Sequence, residues 1–154
     1  LLDFQEYFVQ LKSEPKISEV IYLESEKADT TEEVSNALDQ ADKIVVGPSN
    51  PILSIGPILA IQNLKEKLTI SSSIYVVSPF IENKAIKGPS KKNFEDLGYK
   101  SDITGIKEFY NNIGNYYIVQ PGDTDKAENT IEKNILFRSK EDSTKLARYI
   151  VDHE

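Results

Sequence analysis

The 154-residue sequence contains no cysteine, methionine or tryptophan, and a single histidine, His153. Without cysteine there is no disulfide, no thiolate nucleophile and no zinc site built on thiolates. Because the one histidine is the second residue from the end, where chains fray, we expect a solvated side chain there rather than a catalytic base. Carboxylate, amide, hydroxyl and lysine groups are left to carry any chemistry.

Positive charge is also scarce, since 18 Lys+Arg face 25 Asp+Glu and the formal net charge is −7. The only arginines are Arg138 and Arg148, which argues against a nucleic-acid partner because backbone binding needs clustered basic residues. No apolar run approaches the ~20 residues that span a bilayer, so we expect a cytoplasmic protein with no membrane partner. A bound metal would have oxygen ligands, which favours Mg²⁺.

Short β-branched runs alternate with helical patterns along the chain. Strands are predicted at 17–23, 43–46, 74–77, 116–119 and 134–137, and helices at 32–40, 57–68, 90–97, 103–112 and 141–151. Such alternation indicates βαβ units and a parallel sheet covered on both faces. The prediction is a single α/β domain over residues 1–154, doubly wound, with a mostly parallel, Rossmann-like sheet. Because the chain begins at Leu1 with no methionine, we expect a fragment or processed chain, and so an incomplete domain.

The segment after the second predicted strand is the first candidate site, because ligands of such sheets bind beyond the carboxyl ends of the strands. Gly47 allows a close backbone approach, and Ser49, Asn50 and Ser54 supply polar side chains before a helix begins. A helix start favours an anion, so a phosphate or diphosphate is the natural ligand. The alternative is a plain connection in which serine and asparagine only cap the helix.

The segment after the third predicted strand is locally basic. Lys84, Lys87, Lys91 and Lys92 lie within nine residues of an otherwise acidic chain. If this segment lies at the same sheet edge, it brings positive charge toward the first loop. Lys87 is the candidate phosphate contact, whereas we expect Lys91 and Lys92 to lie on the solvated face of a helix.

The motifs GPSNPxxSIGPIL and SPxxxxKAIKGPS, with the opening FQEYFV, resemble the 2-phospho-L-lactate transferase family of deazaflavin coenzyme F-420 biosynthesis. The resemblance continues through residues 138–142 and the last predicted helix. It implies a transferase that moves a phospholactyl-type group from a guanosine-diphosphate-linked donor, lactyl-2-diphospho-5′-guanosine, to the deazaflavin Fo. The implied products are F-420-0 and GMP, and the implied cofactor is Mg²⁺.

The resemblance also implies site residues. The donor diphosphate and nucleotide would be held by Gly47, Pro48, Ser49, Asn50, Ser54 and Lys87. Gln5 and Glu6 would form part of the wall of the substrate site. The alternative for the opening segment is an amphipathic element whose Phe4 and Phe8 pack in the core.

Members of that family are about twice this length, and the resemblance covers their C-terminal half alone. Their Gly-rich first loop and their acidic residues associated with metal and Fo have no counterpart here. We therefore expect no metal ligands in this chain and no activity without the N-terminal half. The alternatives are a non-catalytic, sugar-nucleotide-binding regulatory protein of the same superfamily, or an inert fragment. An exposed sheet edge would favour a homodimer, and the excess of lysine over arginine suggests an archaeal source.

Overall fold

The centre of the fold is a parallel β-sheet. The computed structural model describes residues 1–70, 73–82, 84–85 (backbone only), 89–111 and 113–153. The strands are β1 (Ile44–Val46), β2 (Ile74–Val77), β3 (Phe80–Ile81), β4 (Lys84–Ala85), β5 (Tyr116–Val119) and β6 (Thr130–Glu132). Four of them form a sheet in the order β1-β2-β5-β6, in which all neighbours are parallel, and β3 and β4 form an antiparallel pair.

Helices of three kinds connect these strands. The α-helices are α1 (Glu32–Gln40), α2 (Gly56–Leu59), α3 (Gln62–Ile70), α4 (Ser90–Asp96), α5 (Ile103–Tyr110) and α6 (Lys140–Asp152). Two π-helical turns, Glu6–Gln10 and Pro51–Ile55, and a 3₁₀ turn, Ser25–Lys27, complete the helical elements. Among the described helices, none is both long and apolar enough to cross a membrane.

Strand β2 has both faces buried, as its unbroken apolar sequence predicts. Successive side chains of a strand point to opposite faces, so Ile74 and Val76 join a core cluster on one face, with residues of α3, α4 and α5. Tyr75 and Val77 join a second cluster with residues of α6 on the other. The predicted α/β, doubly wound, mostly parallel sheet is therefore confirmed.

Strand β1 lies at one edge of this sheet. Its central residue Val45 pairs in register with Tyr75 of β2 and therefore lies on the α6 face. Val45 is 50% exposed, whereas Tyr75 is only 1% exposed. The helical layer on this face therefore covers the middle of the sheet and leaves the β1 edge partly open.

Several predicted boundaries are confirmed because local capping sets them. Helix α1 begins after Thr31, whose side chain accepts a hydrogen bond from the Val34 amide. Helix α6 begins at Lys140, one residue before the predicted start at 141, because Ser139 forms a reciprocal capping box with Asp142. Strand β2 and strand β5 have the bounds that the sequence predicts.

The strand predicted at 17–23 is wrong. Apart from the start of the following turn, these residues form no regular element, and Ile21 and Leu23 are exposed. The segment is fixed instead by single long-range contacts: the Ile17 amide donates to Asp96 (3.1 Å), and the Tyr22 hydroxyl donates to the Ile52 carbonyl (2.6 Å). The β-branched residues of this segment therefore lie in irregular structure and not in a strand.

The strand predicted at 134–137 is also wrong, because the ladder with β5 forms earlier, at Thr130–Glu132. Ile135 is still buried, against the second cluster. Its amide donates to the Gln120 side chain (3.1 Å) and not to a strand. The helix predicted at 57–68 starts earlier, at Pro51, and is broken between α2 and α3.

Two expectations about aromatic and terminal residues need correction. Phe4 and Phe8 stack on each other with ring centroids 5.4 Å apart and are 48% and 42% exposed, so Tyr7 (5%) is the buried aromatic of the opening turn. His153 is not a freely solvated terminus: it is partly buried, and its Nδ1 lies 2.8 Å from the Tyr75 hydroxyl.

Candidate functional site

The candidate site is the connection between β1 and α2, residues 47–55. Asn50 organises it as the N-cap of the π-helical turn, with its Oδ1 accepting from the amides of Ile52 (3.0 Å) and Leu53 (3.1 Å). The Asn50 carbonyl accepts from the amides of Ser54 (3.0 Å) and Ile55 (3.2 Å). The amides at this helix start are therefore satisfied within the chain, as the capping alternative expects.

Two serine hydroxyls remain available on the same loop. Ser49 and Ser54 are exposed, and neither hydroxyl has a hydrogen-bond partner within the described ranges. The Ser49 amide donates back to the Gly47 carbonyl (2.8 Å), which turns the chain sharply after β1. Hydroxyls can donate to an anion, so this loop presents two free donors beyond the carboxyl end of a parallel strand.

The two glycines that flank the loop differ in what they accommodate. Gly56 is buried, and a Cβ atom there would lie 2.7 Å from Tyr22 Cζ and 3.2 Å from the Pro51 carbonyl oxygen. At Gly47 a Cβ atom would meet nothing within 4 Å, and the residue is exposed. Gly56 is thus required by packing, whereas Gly47 leaves open space beside the loop.

Tyr22 stabilises the 47–55 loop through a hydrogen bond. Its hydroxyl donates to the Ile52 carbonyl at 2.6 Å, inside the π-helical turn. Burial raises the pKa of Tyr22, and nearby Tyr99 raises it further. The hydroxyl therefore stays protonated and keeps this hydrogen bond well above neutral pH.

A second support comes from helix α4. The Asn50 Nδ2 donates to the Asn93 Oδ1 (3.0 Å), and the Asn93 Nδ2 donates to the Tyr7 hydroxyl (2.7 Å). Through Tyr7 this contact reaches the opening turn, where Gln5 and Glu6 are exposed. The structure therefore brings the first loop and the opening segment together, with Tyr7 rather than Gln5 or Glu6 making the connection.

Sequence reasoning missed Tyr7, Tyr22 and Asn93 as supports of the loop. Asn93 is completely buried although it lies in a helix with polar neighbours. An amide just before Phe94 on the apolar side of α4 is the one local signal that could have identified it. The contacts themselves span 43 residues for Asn50 and 86 residues for Tyr7, so no local pattern encodes them.

The four lysines of residues 84–92 differ in what the structure describes: two have no described side chain, and two lie on α4. Lys87, predicted to contact phosphate, lies outside the described residues, and the side chain of Lys84 is not described either. Lys92 pairs with Asp96 (2.5 Å) and donates to the Pro15 carbonyl (2.6 Å), so it ties α4 to the N-terminal segment. Lys91 lies 3.5 Å from Glu95 on the same helix.

A cleft of about 290 Å³ lies beyond the carboxyl ends of β2 and β5, beside the start of α5. Its walls include Asp102, Asp123 and Asp125. Asp102 caps α5, accepting from the amides of Thr104 (2.8 Å) and Gly105 (3.1 Å). Asp123 accepts from the Glu82 amide (3.0 Å). These carboxylates make the cleft unfavourable for a diphosphate and are already engaged by the protein.

The described residues do not offer a metal site of their own. Among them there is no group of three or more histidine, cysteine, aspartate or glutamate side chains that could hold a metal ion. Asp125, one of the acidic residues of the cleft, is bound by Lys107 (2.8 Å) and Thr130 (2.6 Å).

Comparison with known proteins identifies the family. The sequence model of the 2-phospho-L-lactate transferase CofD family matches residues 2–149. The chain belongs to this family. That assignment agrees with the resemblance found in the motifs of the two loops and the opening segment.

Relatives of the family extend the match over nearly the whole chain. Proteins named 2-phospho-L-lactate transferase from Methanocaldococcus jannaschii and Methanococcus vannielii are 33% and 34% identical over 156 and 158 residues, 99% of this chain and 50% of each relative. One from Methanopyrus kandleri is 30% identical over 160 residues, 97% of this chain and 50% of the relative. The chain thus spans about half the length of the curated relatives that it matches.

Proposed function

We propose that this chain is the donor-binding half of a transferase that moves a phospholactyl-type group from lactyl-2-diphospho-5′-guanosine to the deazaflavin Fo. The supporting observation is that a chain of the 2-phospho-L-lactate transferase CofD family has two serine hydroxyls, Ser49 and Ser54, on the loop after a parallel strand, and that neither has a hydrogen-bond partner among the residues that the structure describes. Open α/β sheets bind ligands at this edge. The products of the proposed reaction are F-420-0 and GMP.

The proposed reaction is a phosphoryl-type displacement. The hydroxyl oxygen of Fo attacks the phosphorus that carries the lactyl group, and a new P–O bond forms. The P–O bond of the diphosphate bridge breaks, GMP leaves with the bridging oxygen, and the Fo hydroxyl proton is released. Such a reaction needs positioning and charge stabilisation rather than a covalent enzyme intermediate. A chain without cysteine can supply both.

Each residue of the first loop has a role in this proposal. Ser49 and Ser54 donate their hydroxyls to diphosphate oxygens, and Gly47 leaves the space for the phosphates to approach the backbone. Pro48 has no amide proton and fixes φ, which limits the shapes open to the loop. Asn50 shapes the loop through its capping bonds, so its contribution is to hold the serines in place.

The remaining predicted residues complete the proposed site. Lys87 would add a positive charge to the diphosphate from the second loop. Gln5 and Glu6 would form a wall of the substrate site. Mg²⁺ would accompany the diphosphate as its counter-ion, because diphosphate oxygens are ligands that Mg²⁺ prefers.

Calorimetric titration with GDP, in buffer containing Mg²⁺, tests the loop directly. Hydrogen bonds to charged groups contribute about 1.5–3 kcal/mol, so Ser49→Ala and Ser54→Ala should each raise the Kd for GDP about tenfold or more. Ser143→Ala is the matched control, because Ser143 is also an exposed serine but lies on α6. Thermal unfolding of each variant verifies that it is folded.

The outcomes separate the hypotheses. Saturable GDP binding that both loop variants weaken and the control does not supports the proposal. Binding that the loop variants leave unchanged would overturn the placement of the diphosphate on this loop. With Fo and donor supplied, we expect the 154-residue chain alone to form no F-420-0, and normal turnover would contradict the half-site part of the proposal. A full-length relative that binds GDP but neither binds Fo nor forms F-420-0 would favour the alternative function, a non-catalytic, sugar-nucleotide-binding regulatory protein.

A further inference from the structure

The buried amide of Asn93 contacts the candidate loop from another element. We propose that Asn93 is a positioning residue that sets the shape of the 47–55 loop through Asn50 and so controls its affinity for a diphosphate. This inference rests on the proposed function for its ligand, but the geometry that carries it is independent of that ligand. Among the residues that the structure describes, Asn93 hydrogen-bonds to the candidate loop through Asn50.

Both polar atoms of the Asn93 side chain are used. Asn93 is 0% exposed and lies in α4 beside Phe94, which belongs to the larger apolar cluster. Its Oδ1 accepts from Asn50 Nδ2 at 3.0 Å, and its Nδ2 donates to the Tyr7 hydroxyl at 2.7 Å. A buried amide is costly unless its hydrogen bonds are made. Here the cost is offset by two bonds to different parts of the chain.

The direction of the hydrogen bonds is fixed at both ends by main-chain groups. At one end the Asn50 Oδ1 accepts from two backbone amides, Ile52 and Leu53, so the Asn50 Nδ2 must face α4. At the other end the Tyr7 hydroxyl donates to the Ser13 carbonyl (3.3 Å). The hydroxyl must therefore accept from the Asn93 Nδ2. One orientation of the Asn93 amide satisfies every partner.

The hydrogen bonds from Tyr7 through Asn93 to Asn50, which we call the relay, end beside the residues that the proposed function uses. Asn50 lies directly between Ser49 and the π-helical turn, and its carbonyl accepts from the Ser54 amide (3.0 Å). A rotation of Asn50 would break its bonds to the turn and displace both serines. Holding a binding loop in its bound shape before the ligand arrives reduces the ordering cost of binding. Within the described residues, Asn93 supplies the one side-chain hydrogen bond to the Asn50 side chain from outside the loop.

Asn93→Leu tests the relay, because leucine has a similar size and no hydrogen-bonding group. We expect the Kd for GDP to rise about tenfold, since one directional bond to Asn50 is lost. We also expect the amides of Ile52 and Leu53 to exchange with solvent about tenfold faster when measured by NMR hydrogen exchange. Ile106→Val is the control, because Ile106 is equally buried and belongs to the apolar cluster that contains Phe94, but has no hydrogen-bonding side chain.

Tyr7→Phe is the second variant, since it removes only the oxygen that Asn93 donates to. We expect a smaller rise in Kd, about threefold, together with faster exchange of the same two amides. It remains informative if Asn93→Leu does not fold. Loop exchange and GDP affinity equal to those of Ile106→Val in the folded variants would overturn the positioning role.

Different results would contradict the proposed function and the positioning role of Asn93. Absence of GDP binding by the folded wild-type chain would contradict the proposed function, and the exchange rates of Ile52 and Leu53 would still test the role of Asn93. Wild-type GDP binding with unchanged exchange in the variants would contradict the role of Asn93 alone.

Discussion

The ring of Tyr22 occupies the space that a side chain at Gly56 would need. A Cβ atom at residue 56 would lie 2.7 Å from Tyr22 Cζ and closer still to its hydroxyl. That hydroxyl is held in place by its hydrogen bond to the Ile52 carbonyl (2.6 Å). The start of α2 therefore depends on a residue 34 positions earlier in the sequence, in a segment without a strand.

We expect Gly56→Ala to lower the free energy of unfolding by about 1–3 kcal/mol, the usual cost of overpacking a buried site. The clash opposes the gain of up to about 1 kcal/mol that alanine brings to a helix interior, and we expect the clash to dominate. Urea unfolding measures the difference. A variant as stable as the wild type would show that Tyr22 can move aside at little cost.

Gly47→Ala should behave in the opposite way. A Cβ atom at residue 47 meets nothing within 4 Å, so the free energy of unfolding should change by less than about 0.5 kcal/mol. The added methyl group occupies space that the proposed function gives to the diphosphate, so the Kd for GDP should rise about tenfold. Urea unfolding and calorimetric titration on the same preparation test both parts. Unchanged affinity would place the phosphates away from Gly47.

We expect Ser139→Ala to destabilise the chain by about 1 kcal/mol. Ser139 accepts from the Asp142 amide (3.3 Å), and Asp142 accepts from the Ser139 amide (2.9 Å), so the substitution removes half of a capping box. Ser143→Ala, one turn further along α6, is the control and should be neutral or slightly stabilising because alanine favours helices. Equal stabilities in urea for the two variants would contradict the capping role.

The pH dependence of stability should include a component from Asp125. Burial opposes its ionisation, but hydrogen bonds from Lys107, Thr130 and the Ala127 amide favour the carboxylate more strongly and lower its pKa to about 2. Because this pKa lies below the unfolded value of about 3.9, the stabilisation is present above about pH 4 and is lost as the pH falls toward 2.

Asp125→Asn should remove that component, which we expect to be about 1 kcal/mol after allowance for solvent screening. The measurement is the difference in free energy of unfolding between wild type and variant at pH 6 and at pH 2.5. The difference should shrink at the lower pH. Lys107→Met should reduce the same pH-dependent component, because Lys107 is the ion-pair partner (2.8 Å). A difference that does not vary with pH would exclude Asp125 as its source.

The elements that the sequence predicts well are those with local determinants. Strand β2 is apolar at every position because both faces are covered, and α6 begins within one residue of its predicted start, at a local capping box. The segment 17–23 has the same β-branched composition as a strand, but its backbone is held by Asp96 and its Tyr22 by Ile52. Such single contacts between distant residues leave no periodic pattern to detect.

In the candidate site, too, features with local determinants are predicted from the sequence, whereas features that depend on long-range contacts are not. The Gly-Pro-Ser-Asn order predicts a loop after β1, and the structure has that loop with Asn50 as its cap. The contacts of the supporting Asn93 could not be predicted, because its partners Asn50 and Tyr7 lie 43 and 86 residues away in the sequence. The contribution of Lys87 remains a prediction from the local lysine cluster and the family resemblance.

The strand order β1-β2-β5-β6 also has a consequence for how the chain folds. Each strand pairs with the next one in the sheet, but the paired residues are separated by 30 positions for β1 and β2, 41 for β2 and β5, and 13 for β5 and β6. Loop-closure entropy grows with the logarithm of this separation, so closing the β5–β6 pair costs about 1 kcal/mol less than closing the β2–β5 pair. We therefore expect pulse-labelled amides of β5 and β6 to become protected first and those of the β1–β2 pair next, with the β2–β5 pairing, which closes the longest loop, joining the two pairs last.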